Sequence, residues 1–304
     1  MQNHAVKKIA VEHANFRQPH LIQAVRDAGG EPVPVSEATA LIWGDEKFSE
    51  LTDMLHDNLE WVQLPWAGIE PFIDALDHKR RWTCGKGVYA KPVAEHVLAL
   101  ILAGLHHLHA YARQTNWSAA AGQNLFGKRV LILGGGGITE ELLPMLAAMN
   151  CDSVVLRRSD KPMNGARCVK PDALHEELPE ADIVVLALAL TDSTRGMISK
   201  KEFALMKSNT WLINVARGAH IVTEDLVNAL QQDIIGGAAI DVTEPEPLPD
   251  GHPLWDCDNC LITPHVGNTP EVGIRLLCEH VRENTRRYLA GETLLAPVDV
   301  DAGY

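Results

Sequence analysis

The sequence predicts an α/β protein built on parallel sheets, and three observations carry that prediction. Short β-rich apolar runs alternate with helix-like segments along the chain, the pattern of a parallel α/β sheet. One run, Arg129-Val130-Leu131-Ile132-Leu133, opens into Gly134-Gly135-Gly136-Gly137-Ile138-Thr139 and a helix-like stretch over 140–149. Three later runs end in polar phrases: Asn214-Val215-Ala216-Arg217-Gly218, Asp241-Val242-Thr243-Glu244-Pro245-Glu246-Pro247 and Thr263-Pro264-His265. Ligands bind at strand carboxyl ends in open parallel sheets. A cation, a carboxylate and a histidine arriving there in order therefore predict a reaction as well as a fold.

In the first part of the chain strands are expected near 8–11, 32–35, 40–43, 61–64 and 82–83, with helices around 19–28 and 48–57. The segment 92–112 is apolar nearly all round (Val93, Val97, Leu98, Leu100, Ile101, Leu102). Such a helix is buried on most sides, between domains or at a subunit interface. A second α/β series begins at Lys128, with strands near 129–133, 153–156, 183–188, 211–214, 238–241 and 261–263. Ser199 with Glu202 fits a capping box, and acids follow Thr223 as in a first helical turn. A last helix opens at Thr269-Pro270 and runs to about 289.

At 304 residues the chain has room for two domains, each with its own core. Its formal net charge of −13 argues against nucleic acid or an anionic membrane surface as a partner. An anionic substrate then needs a local basic site, for which Arg217 is a candidate. Six cysteines show no framework spacing, and Met1 starts no basic-then-apolar leader, so reduced thiols and a cytoplasmic location are expected. The longest apolar runs, 97–105 and 183–190, are too short to span a bilayer. Cys257-x-x-Cys260 has no second pair, and structural zinc takes four ligands, so no metal is expected. His106, His107 and His109 are read as an interface or surface cluster.

A glycine turn between strand and helix lets the backbone approach a pyrophosphate resting on the helix N-terminus. This predicts a Rossmann-type, doubly wound dinucleotide domain, with Gly134, Gly136, Gly137 and Ile138 at the cofactor. Thr139 takes the third glycine position of G-x-G-x-x-G, where a β-branched residue is expected to push the helix slightly away. The next strand ends in Arg157-Arg158-Ser159, where an NAD-preferring site would carry an acid. Arginines there suit the 2′-phosphate of NADP, so NADP(H) is favoured over NAD(H). A solvated pair of arginines is the other reading.

The ordered phrases resemble the D-isomer-specific 2-hydroxyacid dehydrogenase family over nearly the whole chain. They include Trp61-Val62-Gln63-Leu64 leading to Ala67-Gly68-Ile69, Val93-Ala94-Glu95-His96, and Leu125-Phe126-Gly127-Lys128 before the glycine turn. Leu190-Thr191 to Thr194-Arg195-Gly196 and Leu205-Met206-Lys207 follow it. The likeness is greatest to the short glyoxylate/hydroxypyruvate reductase-like branch. It implies a flavodoxin-like α/β substrate domain over 1–95 and 287–304, a dinucleotide domain over 96–286, catalysis in the cleft between them, and a homodimer through the long helix.

The chemistry implied is reduction of a small 2-keto acid to the D-2-hydroxy acid. Arg217, with a planar fork of donors, suits the substrate carboxylate and carbonyl. His265 suits a general acid near neutral pH. The resemblance makes Glu246 its carboxylate partner rather than Glu244, places Asp241 and Ala216 beside the cofactor, and gives the Trp66-Ala67-Gly68 loop the substrate carboxylate. Each has a bland alternative: a structural salt bridge for Arg217, a polar strand end for His265, ordinary packing for Trp66 and Tyr89. Asn268 departs from the smaller residue usual there and is a further substrate contact. A non-catalytic nucleotide-binding regulator, or a dehydrogenase for phosphoglycerate or formate, are the competing functions.

Overall fold

Strand alternation builds the fold. In the computed structural model, which describes residues 7–12, 14–45 and 47–303, the chain divides into two units, Met1–Tyr89 with Thr269–Tyr304, and Ala90–Asn268. The expected absence of a leader at Met1 lies outside the described residues.

The first unit carries β1 (Lys8–Glu12), α1 (Gln18–Asp27), β2 (Glu31–Pro32), β3 (Ala40–Trp43), α2 (Phe48–Met54), β4 (Trp61–Gln63) and β5 (Arg81–Thr83). Its five parallel strands lie in the order β2-β1-β3-β4-β5. Ala10, Leu41, Trp43 and Val62 point to one face, and Ile9, Val11, Ala40, Ile42 and Trp61 to the other. Both faces are covered, which is why these strands read as continuous apolar runs. The strand expected over 32–35 shrinks to two residues, because the chain turns into a 3-10 helix at Val35–Glu37.

The second unit begins with α3 (Ala90–Leu105) and α4 (Leu108–Tyr111). The single helix expected to 112 is broken where His107 takes a left-handed φ of 52°. There follow β6 (Arg129–Leu133), α5 (Gly137–Ala148), β7 (Asp152–Leu156), β8 (Arg167–Val169), α6 (Leu174–Glu177), β9 (Ile183–Leu186) and α7 (Lys200–Phe203). The unit closes with β10 (Trp211–Asn214), α8 (Thr223–Gln231), β11 (Gly237–Ile240) and β12 (Cys260–Ile262). Seven parallel strands lie in the order β12-β11-β10-β9-β6-β7-β8, the doubly wound Rossmann arrangement with its switch point between β6 and β9. Leu131, Leu133, Val184, Leu186 and Leu212 pack on one face, Val130, Ile132, Ile183, Val185 and Ile213 on the other. Burying each such side chain contributes roughly 1.5–3 kcal/mol.

The last helix, α9 (Pro270–Ala290), belongs wholly to the first unit. Its Leu277, Val281 and Tyr288 share a core with Ile9, Leu21 and Val25. The boundary expected at 287 falls inside this helix and moves to its start, since one apolar stripe cannot be divided between two cores. Ser199 caps α7, its N–H donating to Glu202 at 3.1 Å. Thr223 is the first residue of α8 and not its cap. Among the described residues no helix is long and apolar enough to cross a membrane.

Candidate active site

At the switch point the glycine turn is sterically dictated. Gly134 has φ +112°, and a β-carbon there would lie 2.2 Å from the Ala187 carbonyl oxygen. Only glycine fits both conditions. Gly136 caps α5 and Gly137 with Ile138 begin it. Their N–H groups are among those that no intrahelical acceptor satisfies, an anion-binding arrangement. Thr139 is fully buried, and its hydroxyl donates to the Gly134 carbonyl at 2.7 Å. The third-glycine position is thus filled by a side chain that ties the helix to the turn.

Beyond β7, Arg157 crosses this turn, since a β-carbon on Gly135 would lie 2.8 Å from its Nε. That Nε is buried and has no hydrogen-bond partner, while Nη1 donates to the Lys161 carbonyl at 3.3 Å. Arg158 and Ser159 are exposed beside it, the serine hydroxyl accepting from the Lys161 N–H. An orphaned buried donor next to open backbone N–H groups fits a bound phosphate ester.

The three polar phrases come together within this unit. After β10, the Asn214 side chain accepts from the Ala216 N–H at 3.0 Å and donates to the Arg217 carbonyl at 2.9 Å, fixing a tight loop. Ala216, expected at the cofactor, is buried with its N–H on Asn214 and its carbonyl accepting from Arg217 Nη1 at 2.7 Å. Gly218 lets this loop touch the next: a β-carbon there would lie 1.9 Å from the Thr243 carbonyl carbon. Thr223 Oγ1 joins the same two segments by donating to the Glu244 carbonyl at 2.7 Å.

After β11 the chain brings Glu246 to His265, whose Nδ1 stands 2.6 Å from the Glu246 carboxylate. Glu246, and not Glu244, is the partner. The Thr243 N–H steadies its other oxygen at 3.3 Å. The hydrogen bond to Glu246 raises the imidazole pKa above its ordinary value, burial and the Arg217 charge opposing it. The same bond holds the Glu246 carboxyl below the usual carboxylate range, aided by the charges of His265 and Arg217. The side chains are 53% and 40% exposed, so the pair faces outward.

His265 has φ 53°, a left-handed conformation worth about 1–3 kcal/mol of strain in a non-glycine residue. Asp241 holds it there. Its carbonyl accepts from the His265 N–H at 2.8 Å, and its carboxylate accepts from the N–H groups of Val266 and Gly267 at 2.8 and 2.9 Å. Thr263 Oγ1 donates to the same carboxylate at 2.6 Å, and His96 Nε2 lies 3.3 Å away. With 3% of its surface exposed, Asp241 positions the histidine loop through these bonds. These hydrogen bonds lower its pKa against the opposing effect of burial, the largest single influence.

His96 and Thr263 were missed as site residues. Their only sequence signal was membership of the phrases that carried the resemblance, because 145 positions separate His96 from Asp241 in number but not in space. Asn268 keeps a buried amide oxygen without a partner. The histidine cluster is split: His106 is exposed and His107 partly covered, while His109 is buried, lies 6.0 Å from the Trp211 ring and contacts the Asp258 carbonyl through Nε2 at 2.9 Å. Cys257 and Cys260 pack in the core under the sheet, where burial pushes the Cys260 thiol up to about 12.

In the first unit, Trp66 is half-buried and Ala67 exposed in the loop after β4. The Tyr89 hydroxyl donates to the Pro65 carbonyl at 2.8 Å, and its ring lies 6.4 Å from that of Trp66.

A switch-point glycine turn, a phosphate-suited arginine and a carboxylate-held histidine define a dinucleotide-dependent oxidoreductase. Residues 96–267 match the family model described as D-isomer specific 2-hydroxyacid dehydrogenase, NAD binding domain. The chain belongs to the D-isomer-specific 2-hydroxyacid dehydrogenase family. An uncharacterized protein of Corynebacterium melassecola is 40% identical over 94% of this chain and 98% of its own. Glyoxylate/hydroxypyruvate reductase A of Photorhabdus laumondii is 30% identical over 69% of this chain and 68% of its own. Among solved structures, the D-isomer specific 2-hydroxyacid dehydrogenase of Xanthobacter autotrophicus, in complex with NADPH and MES, superimposes with a TM-score of 0.86 at 27% identity, covering 99% of this chain and 100% of its own.

Proposed function

We propose that the protein reduces a small 2-keto acid of the glyoxylate or hydroxypyruvate kind to the D-2-hydroxy acid, using NADPH in preference to NADH. The observation that carries this reading is the His265–Glu246 bond at 2.6 Å, beside Arg217 at the carboxyl edge of the sheet. The relative named as a glyoxylate/hydroxypyruvate reductase supports the substrate class.

The nicotinamide, when bound, supplies the hydride for the carbonyl carbon. Gly134, Gly136, Gly137 and Ile138 would hold its pyrophosphate, and Arg157, Arg158 and Ser159 the 2′-phosphate. Arg217 binds the substrate carboxylate and polarises the carbonyl, a bidentate task for its planar donors. The Trp66-Ala67-Gly68 loop of the first unit is proposed to offer backbone N–H groups to substrate. His265 has Nδ1 engaged by Glu246, so Nε2 is the nitrogen that gives its proton to the developing alkoxide. The carboxylate both orients the ring and keeps it protonated.

Absorbance of NADPH and NADH, followed with glyoxylate, hydroxypyruvate, pyruvate and phosphohydroxypyruvate, tests this reading. Oxidation of NADPH by at least one is expected, and oxidation by none would remove it. Replacing Arg157 and Arg158 together by alanine is expected to raise KM for NADPH roughly 10–100-fold, the scale of one or two lost charge-assisted hydrogen bonds. KM for NADH should barely move. Equal use of the two cofactors by the wild type would contradict the arginine argument.

The protein is also proposed to be a cytoplasmic homodimer. Six free cysteines suit a reducing compartment. Trp117, 102% exposed, and the exposed Leu108 and Phe126 all belong to the second unit and are candidates for burial against a second copy. Sedimentation is expected to show a dimer at micromolar concentration that Trp117→Ser shifts towards monomer. A monomeric wild type would refute it.

A further inference from the structure

The loop that carries Arg217 is tied to its neighbour by a histidine that the proposed chemistry does not use. His220 ends the 3-10 turn Gly218–His220, and none of its surface is exposed. Its Nδ1 lies 3.0 Å from the Arg217 carbonyl oxygen, and its Nε2 lies 3.3 Å from that of Ala189. Carbonyls only accept, so a neutral ring donates to one of them and an imidazolium to both. In either form one rigid ring sets the distance between the loop after β10 and the loop after β9. A buried polar ring costs free energy unless its hydrogen bonds are made, and an apolar side chain would fill this space without that demand.

The two ends of the bridge are held differently. On the β9 side, the Ala187 N–H donates to the Leu133 carbonyl at 2.9 Å, and the Ala187 carbonyl lies against Gly134 of the glycine turn. The Ala189 carbonyl also accepts from Thr194 Oγ1 at 2.9 Å. This side is a fixed reference. From Ala219 onward the chain is laced by backbone: the N–H groups of Gly196 and Ile198 donate to the carbonyls of Ala219 and His220 at 2.8 and 3.0 Å. Arg217 lies before that lacing. Its carbonyl is held by side chains, Asn214 Nδ2 donating at 2.9 Å and the His220 ring standing at 3.0 Å, with the His220 N–H at 3.3 Å.

We propose that His220 is a positioning residue for Arg217, fixing the backbone from which the guanidinium is presented to the substrate carboxylate. This rests on the reading of Arg217 as the carboxylate-binding residue of a 2-keto acid reductase. His220 acts through Arg217 and passes no proton to the substrate.

The test is a double-substitution cycle on kcat/KM for glyoxylate and hydroxypyruvate with NADPH, in wild type, His220→Leu, Arg217→Lys and the pair. His220→Leu should lower kcat/KM about 10–100-fold, the scale of a misplacement approaching 1 Å. The loss should fall mainly on KM for the keto acid, with KM for NADPH close to wild type. In the Arg217→Lys background the same replacement should cost far less, because residues that act through one another are not additive. Equal losses in both backgrounds, or a His220→Leu enzyme as active as wild type, would overturn the proposal. Asparagine can place an amide nitrogen where Nδ1 stands, and glutamine where Nε2 stands. His220→Asn should therefore recover more activity than His220→Gln, and the reverse order would also overturn it. The glutamine variant keeps the cycle measurable if His220→Leu does not fold. Calorimetric titration of the NADP-loaded proteins with glyoxylate and hydroxypyruvate separates this proposal from the reading beneath it. Binding weakened by His220→Leu, without turnover in any variant, would leave the positioning role standing and sink the reductase reading. Binding weakened by Arg217→Lys but indifferent to His220 would sink the positioning role, whatever the activity. A wild type that neither binds nor reduces either keto acid would overturn both.

Discussion

His265→Gln is expected to lower kcat for 2-keto acid reduction by about 10²–10⁴-fold, the contribution of a positioned general acid. Glutamine keeps a polar side chain at the end of β12 but cannot deliver a proton, so KM for the keto acid should change far less than kcat. The loop needs no rearrangement, because the strained backbone at His265 is held by Asp241 through main-chain contacts with His265, Val266 and Gly267. Steady-state rates at saturating NADPH check this. A variant within about threefold of wild type would take His265 out of the chemistry even if the activity itself were as proposed.

Gly218→Ala is expected to be nearly as damaging by a different route. The added carbon would lie 1.9 Å from the Thr243 carbonyl carbon, 2.0 Å from its oxygen and 2.5 Å from the Glu244 nitrogen. All three are backbone atoms, so no side chain can swing away and the two loops must part. Overpacking of this kind costs typically 1–3 kcal/mol. The larger effect falls on geometry, because the neighbouring residue is Arg217 and the displaced segment carries Glu246. A misplacement of about 1 Å can cost about 10²-fold in rate. Thermal unfolding and kcat/KM measured on the same preparation should both fall. Wild-type activity in the alanine variant would show that the close contact does not set the site.

The sheets were the most legible part of the chain. Strands covered on both faces must be apolar throughout, so β3, β6, β9 and β10 announce themselves as continuous runs. The short edge strand β8 did not, because Arg167 is exposed and Cys168 and Val169 are only partly covered, which breaks the pattern. The break between α3 and α4 was invisible for another reason: apolar periodicity continues across it, and only the backbone at His107 departs. At the site, Arg217, Glu246 and His265 could be read because each ends a strand within a motif. Around Asp241 the sequence shows a carboxylate but not the four donors that surround it, which only the fold brings together.

The pairing of His265 with Glu246 is where the account is most exposed. The imidazolium is the proton donor, and its pKa is raised chiefly by the hydrogen bond to Glu246. The stabilisation the pair gives is full below the ordinary histidine value and is lost as pH rises through the raised one. On the acid side it is lost as pH falls through the lowered Glu246 value. Both groups are half exposed, so the effect on stability is small and the effect on rate is the one to follow. The decisive measurement is kcat/KM for keto acid reduction against pH in wild type and Glu246→Gln. The account predicts that activity falls as pH rises through the raised His265 pKa, and that Glu246→Gln moves this fall to lower pH. An alkaline limb in the same place in both proteins would contradict it.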